Sequence, residues 1–390
     1  MLGGRMLVQA RIPRRLHAVD ERFVAGHRVT LLRDGARAFP AMLGAIADAK
    51  SQVLLEMYWF DSDEVGRRFA RALIDAARRG VEVAVIYDSL GSWEAAPEMF
   101  DEMRAAGVGV IEYNPLAPWK KRFRIGRLTR RDHRKILIVD GQLGFTGGIN
   151  LADVWKPEAE GGGSWRDDMV SIEGPCVGGL LECFQHAWQS EGGAPLKQLA
   201  AAPGETLGKL AVRVLGENFR RHRREIAAAY LYNIYRAERR IWLSNSYFVP
   251  DPRVFRALTQ AARRGVDVRV ILPGESDVPI VRHASRAMWG GLMRRGVRIY
   301  EWIPSILHAK SAVIDGRWST VGTFNLDYLS LRNNLEVNVA VRDESFGELM
   351  EASFRSDLEH CREVDAHEFL FRPLGDRLLE FLLYRFRKLL

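Results

Sequence analysis

The chain has 390 residues, 47% of them hydrophobic, and carries 57 Lys and Arg against 49 Asp and Glu, for a formal charge of +8. That apolar content excludes a disordered chain, and the length allows one large core or two domains of ordinary size. The positive balance selects anionic partners, whether nucleic acid, acidic lipid headgroups or phosphate esters, without choosing among them.

Residues 1–26 open with MLGGRMLVQARIPRRLH, a basic stretch without an uninterrupted apolar run, and read as an extension rather than an export signal. No stretch approaches the ~20 apolar residues that a bilayer-spanning helix needs, so the expectation is a protein neither secreted nor integral, with peripheral membrane attachment open. Cys176, Cys183 and Cys361 have no CxxC or zinc spacing and are expected to be plain thiols in a reducing compartment.

The first domain is expected over residues 27–197. SQVLLEMYWF reads as a strand. RALIDAARRGVEVAVIYD (71 to 88) reads as an amphipathic helix, a Gly that ends it and a β-branched strand, and EMRAAGVGVIEYNP adds a further helix and strand. The run 118–135, PWKKRFRIGRLTRRDHRK, sets nine Lys and Arg among Trp119, Phe123, Ile125 and Leu128. Cations mixed with interfacial side chains suit a loop lying on anionic phospholipid; a base-stacking nucleic-acid groove and a plain solvated surface are the alternatives.

A Gly, Ala and Pro-rich stretch, 191–209, reads as the linker to a second domain, residues 198–368. There RRIWLSNSYFVP, RALTQAARRGVDVRVILP (256 to 273) and LMRRGVRIYEWIP repeat the first half in order, so the chain is duplicated. Alternation of helix with strongly apolar strands predicts an α/β protein of two similar domains packed face to face, each a mainly parallel sheet flanked by helices. The tail, residues 369–390, predicts an amphipathic helix with Leu374, Leu378, Leu382, Leu383, Phe386 and Leu389 on one face and Asp376, Arg377, Glu380 and Arg387 opposite. Such a helix fits either a lipid surface or the protein's own core.

Chemistry concentrates in HRKILIVDGQLGFTGGIN and HAKSAVIDGRWSTVGTFN, which place His133, Lys135, Asp140, Gly147 and Asn150 at the same offsets as His308, Lys310, Asp315, Gly322 and Asn325. A His and a Lys two residues apart on a strand share one face and can reach one phosphate. Phosphodiester cleavage needs a nucleophile, a proton for the departing alkoxide and positive charge on the non-bridging oxygens; two such units with their Asn residues supply all three. A single HxK is a weak signal, whereas two in a duplicated frame are specific.

This doubled HxKxxxxD with GGxN or GTxN resembles the signature of the phospholipase D superfamily. YWFDSDEVG, WRDDMVSIEGP, GESDVPIVRHASR and TVGTFNLDYLSLRNNLEVNV most resemble the bacterial cardiolipin synthases, notably their soluble B type. The resemblance implies an active site at the pseudo-twofold interface, with His133 as nucleophile and His308 as acid and base. It implies phosphate grip by Lys135, Lys310, Asn150 and Asn325, and orientation of the imidazoles by Asp167 and Glu336. Asp140 and Asp315 belong to the catalytic motif but, at strand ends, are expected to act as supports rather than proton carriers. No metal or cofactor is implied. The expected substrates are phosphatidylglycerol and, as an alternative donor, phosphatidylethanolamine, handled on the cytoplasmic, inner face of a bacterial membrane. Hydrolysis to phosphatidic acid, nuclease action and an inactive binding protein are the competing readings. The family's usual GSxN turn is GGIN and GTFN here, and Ala309 is small; neither change removes a reacting group.

Overall fold

The computed structural model describes residues 23–120, 122–123, 125–198, 207–216 and 224–388, so most of the N-terminal extension, part of the linker and Leu389 lie outside the described residues. The first half runs β1 (Val24–Arg33), α1 (Asp34–Asp48), β2 (Gln52–Met57), α2 (Glu64–Arg78), β3 (Glu82–Asp88), α3 (Pro97–Ala105), β4 (Gly109–Tyr113), β5 (Lys135–Val139), β6 (Leu143–Gly147), β7 (Asp168–Glu173) and α4 (Val177–Ser190). The second repeats it as β8 (Leu210–Gly216), α5 (Glu225–Arg236), β9 (Arg240–Asn245), α6 (Pro252–Arg263), β10 (Asp267–Pro273), α7 (Pro279–Met293), β11 (Arg298–Trp302), β12 (Lys310–Ile314), β13 (Trp318–Gly322), α8 (Tyr328–Arg332), β14 (Val337–Arg342) and α9 (Glu344–Leu358). β15 (Cys361–Glu363), α10 (Ala366–Leu370) and α11 (Leu374–Arg385) follow.

The repeated helices show why the copies fold alike. Asp63 caps α2 by accepting from Gly66 N, and Asp251 caps α6 by accepting from Arg253 N and Val254 N. Each helix buries an apolar stripe, Phe69 and Leu73 or Val254 and Leu258, and is followed by a glycine at positive φ, Gly80 (86°) or Gly265 (93°), which releases the chain into a strand.

The α/β class stands, with helices flanking the sheet, but the strand directions correct the expectation of mainly parallel sheets. Only β2–β3–β4 and β9–β10–β11 are parallel. The motif strands β5 and β12 run antiparallel to β2 and β9 and continue through β6–β7 and β13–β14, also antiparallel. The cause is a short turn after each motif strand. Val139 pairs with Leu143 and Ile314 with Trp318, so the intervening residues, which begin Asp140–Gly141 and Asp315–Gly316 at positive φ, leave no length for a crossover.

β1 pairs with β8, which joins the halves into one 15-stranded sheet. Its two wings still stack. Along β5 the side chains alternate: Leu137 and Val139 enter the first half's own core with α1 and α2, while Ile136 and Ile138 enter a central core shared with Val313, Val321, Val337 and Val339 of the second half. A third core lies under α5, α6 and α7. This shared centre fixes one half against the other.

Candidate active site

Two short cross-half pairings build the site. His133 N donates to Leu335 O at 3.0 Å and Leu335 N to Arg131 O at 2.9 Å. In the mirrored place His308 N donates to Arg166 O at 2.8 Å and Arg166 N to Ile306 O at 2.9 Å. Each pairing sets a motif histidine from one half beside the residue that follows the paired segment in the other, Glu336 or Asp167.

The imidazoles are therefore oriented in trans. His133 Nδ1 lies 3.1 Å from both Glu336 carboxylate oxygens, and His308 Nδ1 lies 2.8 Å from Asp167 Oδ2. All four side chains are buried. A carboxylate at Nδ1 accepts its proton and leaves Nε2 with the lone pair of the neutral ring. Burial alone would raise Glu336, but the His133 ring together with hydroxyl donors Thr323 and Ser330 outweighs it and holds the carboxyl below its ordinary value. Burial raises Asp167 to about 7, with Lys310 pulling the other way.

Lys135 and Lys310, both fully buried, donate to the carbonyls of their own histidines, Lys135 at 2.8 Å to His133 O and Lys310 to His308 O. Burial lowers Lys135 to about 7, with Lys310 as the next cause, and burial lowers Lys310 to about 8. Burial also lowers both histidines, His308 furthest, and in each case the neighbouring lysine adds to it. Charges from one half thus act on groups of the other, and two lysines buried beside both imidazoles favour the approach of a further negative charge.

Asn150 and Asn325 complete the frame. Trp59 N donates to Asn150 Oδ1 at 3.1 Å and Ser246 Oγ to Asn325 Oδ1 at 2.8 Å, which fixes each carboxamide by its oxygen. Asp140 and Asp315 do not join the reacting centre. They sit at the far ends of β5 and β12, where Asp140 accepts from the backbone N–H groups of Lys50, Ser51 and Gln52, and Asp315 from those of Glu238, Arg239 and Arg240. They clamp the entry to β2 and β9, so their place in the catalytic motif reflects the fold.

Several site residues escaped sequence reasoning. Tyr58 meets the His133 ring edge-on at 4.9 Å and lies 4.8 Å from Lys135 Nζ; Tyr247 lies 6.2 Å from His308. The register that sets Met57 beside Lys135 and Asn245 beside Lys310 makes Ser246, not Tyr247, the counterpart of Tyr58, so the duplication does not mark them. Asp277, exposed at the rim, accepts from the Tyr247 hydroxyl. Trp155 donates to Asp167 Oδ2 at 3.1 Å and packs on His308 at 5.3 Å with Trp165 at 5.9 Å; nothing in their local sequence marks them.

Against known proteins, a family profile described as "Cardiolipin synthase, PLD-like domain" matches residues 42–154 and 230–358, which hold both motifs. The chain belongs to the cardiolipin synthase family of the phospholipase D superfamily. It is 33% identical over 356 residues to a cardiolipin synthase of Geobacillus kaustophilus, covering 90% of this chain and 70% of that one. It is 34% identical over 349 residues to cardiolipin synthase B of Escherichia coli O6:H1, covering 87% and 83%. The fold matches the crystal structure of phosphatidylserine synthase from Haemophilus influenzae Rd KW20 with a TM-score of 0.74, 12% identity and coverage of 96% and 99% of the two chains. As a member of this family the chain is a phospholipid phosphatidyltransferase.

Proposed function

We propose that this chain transfers a phosphatidyl group from a phospholipid donor to the free glycerol hydroxyl of phosphatidylglycerol, forming cardiolipin through a phosphohistidine on His133. The observation that carries the reading is the pair of trans-oriented imidazoles beside two buried lysines. A phosphodiester anion is drawn to such a concentration of buried nitrogens.

In the first step His133 Nε2 attacks phosphorus, the bond from phosphorus to the departing headgroup oxygen breaks, and His308 Nε2 delivers its proton to that oxygen. The bound anion is what lets His308 hold that proton despite its burial. In the second, the acceptor hydroxyl of phosphatidylglycerol gives its proton to His308 as its oxygen attacks phosphorus, and the bond to His133 breaks. One diester replaces another, so no nucleotide is consumed. Lys135, Lys310 and the amide groups of Asn150 and Asn325 hold the non-bridging oxygens where negative charge grows. Phosphatidylglycerol and phosphatidylethanolamine are the donors proposed, taken from the cytoplasmic leaflet.

The test is to incubate purified protein with phosphatidylglycerol vesicles, with and without phosphatidylethanolamine, and identify products by mass spectrometry beside His133→Ala. Cardiolipin that disappears in the variant is expected. Phosphatidic acid alone would replace transfer by hydrolysis, and no lipid product would overturn the reading in favour of another phosphodiester.

A further inference from the structure

Helix α11 buries a carboxylate and leaves most of its large apolar side chains outside. The residue it buries is Glu380, 1% exposed, which accepts from Arg286 Nε at 3.0 Å and from Arg372 Nε at 3.1 Å; Arg286 in turn reaches Glu301 at 3.1 Å. Its apolar residues Leu374, Leu378, Phe381, Leu382 and Phe386 are 49–76% exposed. A helix packed on its own protein does the reverse, with leucines inward and carboxylates in water. The expected division into a polar and a leucine face does not decide the packing: Asp376 and Arg377 stay exposed, while Glu380 and the partly buried Leu383 and Tyr384 meet the protein.

The position of this face relative to the site is equally specific. Leu383 and Tyr384, near the end of α11, pack with Val249, Val281 and Tyr247, the ring beside His308. The segments that follow β3, β4, β10 and β11 expose Trp93, Trp119, Ile280 at the start of α7, and Ile303, with Trp119 85% exposed. They leave the sheet at the edge that carries the motifs, since Met57 pairs with Lys135 and Asn245 with Lys310. Large exposed apolar side chains of both halves thus lie on the motif-bearing side, and α11 adds its own. Exposed apolar surface of this kind marks an interaction site.

Charge selects the occupant. Arg377, Arg385 and Lys388 are exposed on or just beyond α11, and Asp376 is the one exposed acid of the helix. Among the described residues of the basic run before the first motif, Lys120 pairs with Glu112, Arg127 with Glu191 and Arg131 with Asp88, while Trp119 and Ile125 are the most exposed large apolar side chains. A second copy of this chain would bring like charge to the face. A bilayer with anionic headgroups matches both the cations and the apolar side chains.

We propose that α11 and the apolar loop tips form one docking face that seats the chain on an anionic phospholipid bilayer, the Glu380 ion pairs holding the helix so that its leucines enter the lipid. The proposal deepens the functional reading above, and its test is read without turnover. In flotation assays, full-length protein carrying His133→Ala should bind phosphatidylglycerol–phosphatidylcholine vesicles well and phosphatidylcholine vesicles weakly. The further changes Leu378→Ser, Leu382→Ser and Phe386→Ser should together lower the bound fraction at least tenfold. In an otherwise unaltered chain, the same triple change should preserve turnover of a short-chain phospholipid below its micelle concentration, which also reports intact folding. Phe386→Trp should shift its emission to the blue on vesicle addition. Unchanged binding by the triple variant, or a dimer in sedimentation that the triple change dissociates while vesicle binding persists, would overturn the proposal. Docking without any lipid product would leave it standing and sink the functional reading instead.

Discussion

The two half-sites present the same His, Lys and Asn but support their histidines by different means. Around His133 the partner is the longer Glu336, reached by the hydroxyls of Thr323 and Ser330. Around His308 it is the shorter Asp167, held by the Trp155 indole and by Asp168 N at 2.8 Å, with two indole rings against the imidazole. The turn residues answer this difference. Thr323 donates to Glu336, whereas its counterpart is Gly148, where a Cβ would stand 2.1 Å from Asp167 Oδ1. Duplication has kept the reacting atoms and let their supports diverge. That difference accords with the proposed division of labour: the carboxylate beside His133 is held below its ordinary value, which suits the partner of a nucleophile, and the one beside His308 is raised to about 7, which suits the partner of a proton shuttle.

That division can be broken most directly at the histidines. His133→Ala and His308→Ala should each lower turnover of natural lipid by roughly 10⁴-fold or more. Only His308→Ala should recover, by about 10²-fold, on a phosphatidyl ester of p-nitrophenol, whose leaving group needs no proton. Equal rescue of both would erase the assigned roles.

Next in size are the carboxylates. Glu336→Gln and Asp167→Asn should each cost about 10²–10⁴-fold in kcat with the fold intact, because an amide no longer fixes Nδ1–H. The Glu336 change should suppress formation of the phosphoenzyme in single-turnover quench experiments, and the Asp167 change should slow its resolution by acceptor. The turn residues follow: Gly148→Ala displaces Asp167 and should cost about 10²-fold, whereas Thr323→Ala removes one hydrogen bond and should cost roughly tenfold. A larger loss from Thr323→Ala would reverse the comparison.

The smallest effect is in pH. Lys135 and Lys310 bind a phosphodiester only while charged, and burial has lowered them to about 7 and about 8. Affinity for dimethyl phosphate, which does not titrate in this range, should be full below both values and fall as pH rises through them, approaching tenfold per unit per lysine. Lys135→Met should leave only the upper step and Lys310→Met only the lower one, as read by calorimetry.

Much of the centre was legible because it is written twice. His133, Lys135 and Asn150 stand out by recurring at the offsets of His308, Lys310 and Asn325, and Asp167 and Glu336 followed from family resemblance. Trp155 and Ser330 were not legible, although each stands five residues after its motif asparagine and bonds its half's carboxylate, because an indole and a hydroxyl share no residue type to mark the repeat. Strand direction was hidden for a different reason. β5 and β12 are buried on both faces, so no alternation of polar and apolar residues betrays their neighbours, and only the tight Asp–Gly turns hinted at hairpins. For α11 the helical wheel grouped Leu383, which packs on the protein, with Leu378 and Leu382, which do not; the burial of Glu380 instead depended on Arg286, nearly a hundred residues earlier in the chain.

On the proposed roles, the crossed pairing of each histidine with the other half's carboxylate also sets when the site can first act. A nascent chain that has completed its first half holds His133 without Glu336, and Asp167 without the imidazole it serves. Neither half contains a finished nucleophile or a finished proton carrier, so lipid cleavage is withheld until synthesis has passed Glu336 and the halves have closed. The crossing makes competence an all-or-none property of the complete chain, a built-in interlock that two self-sufficient half-sites would lack.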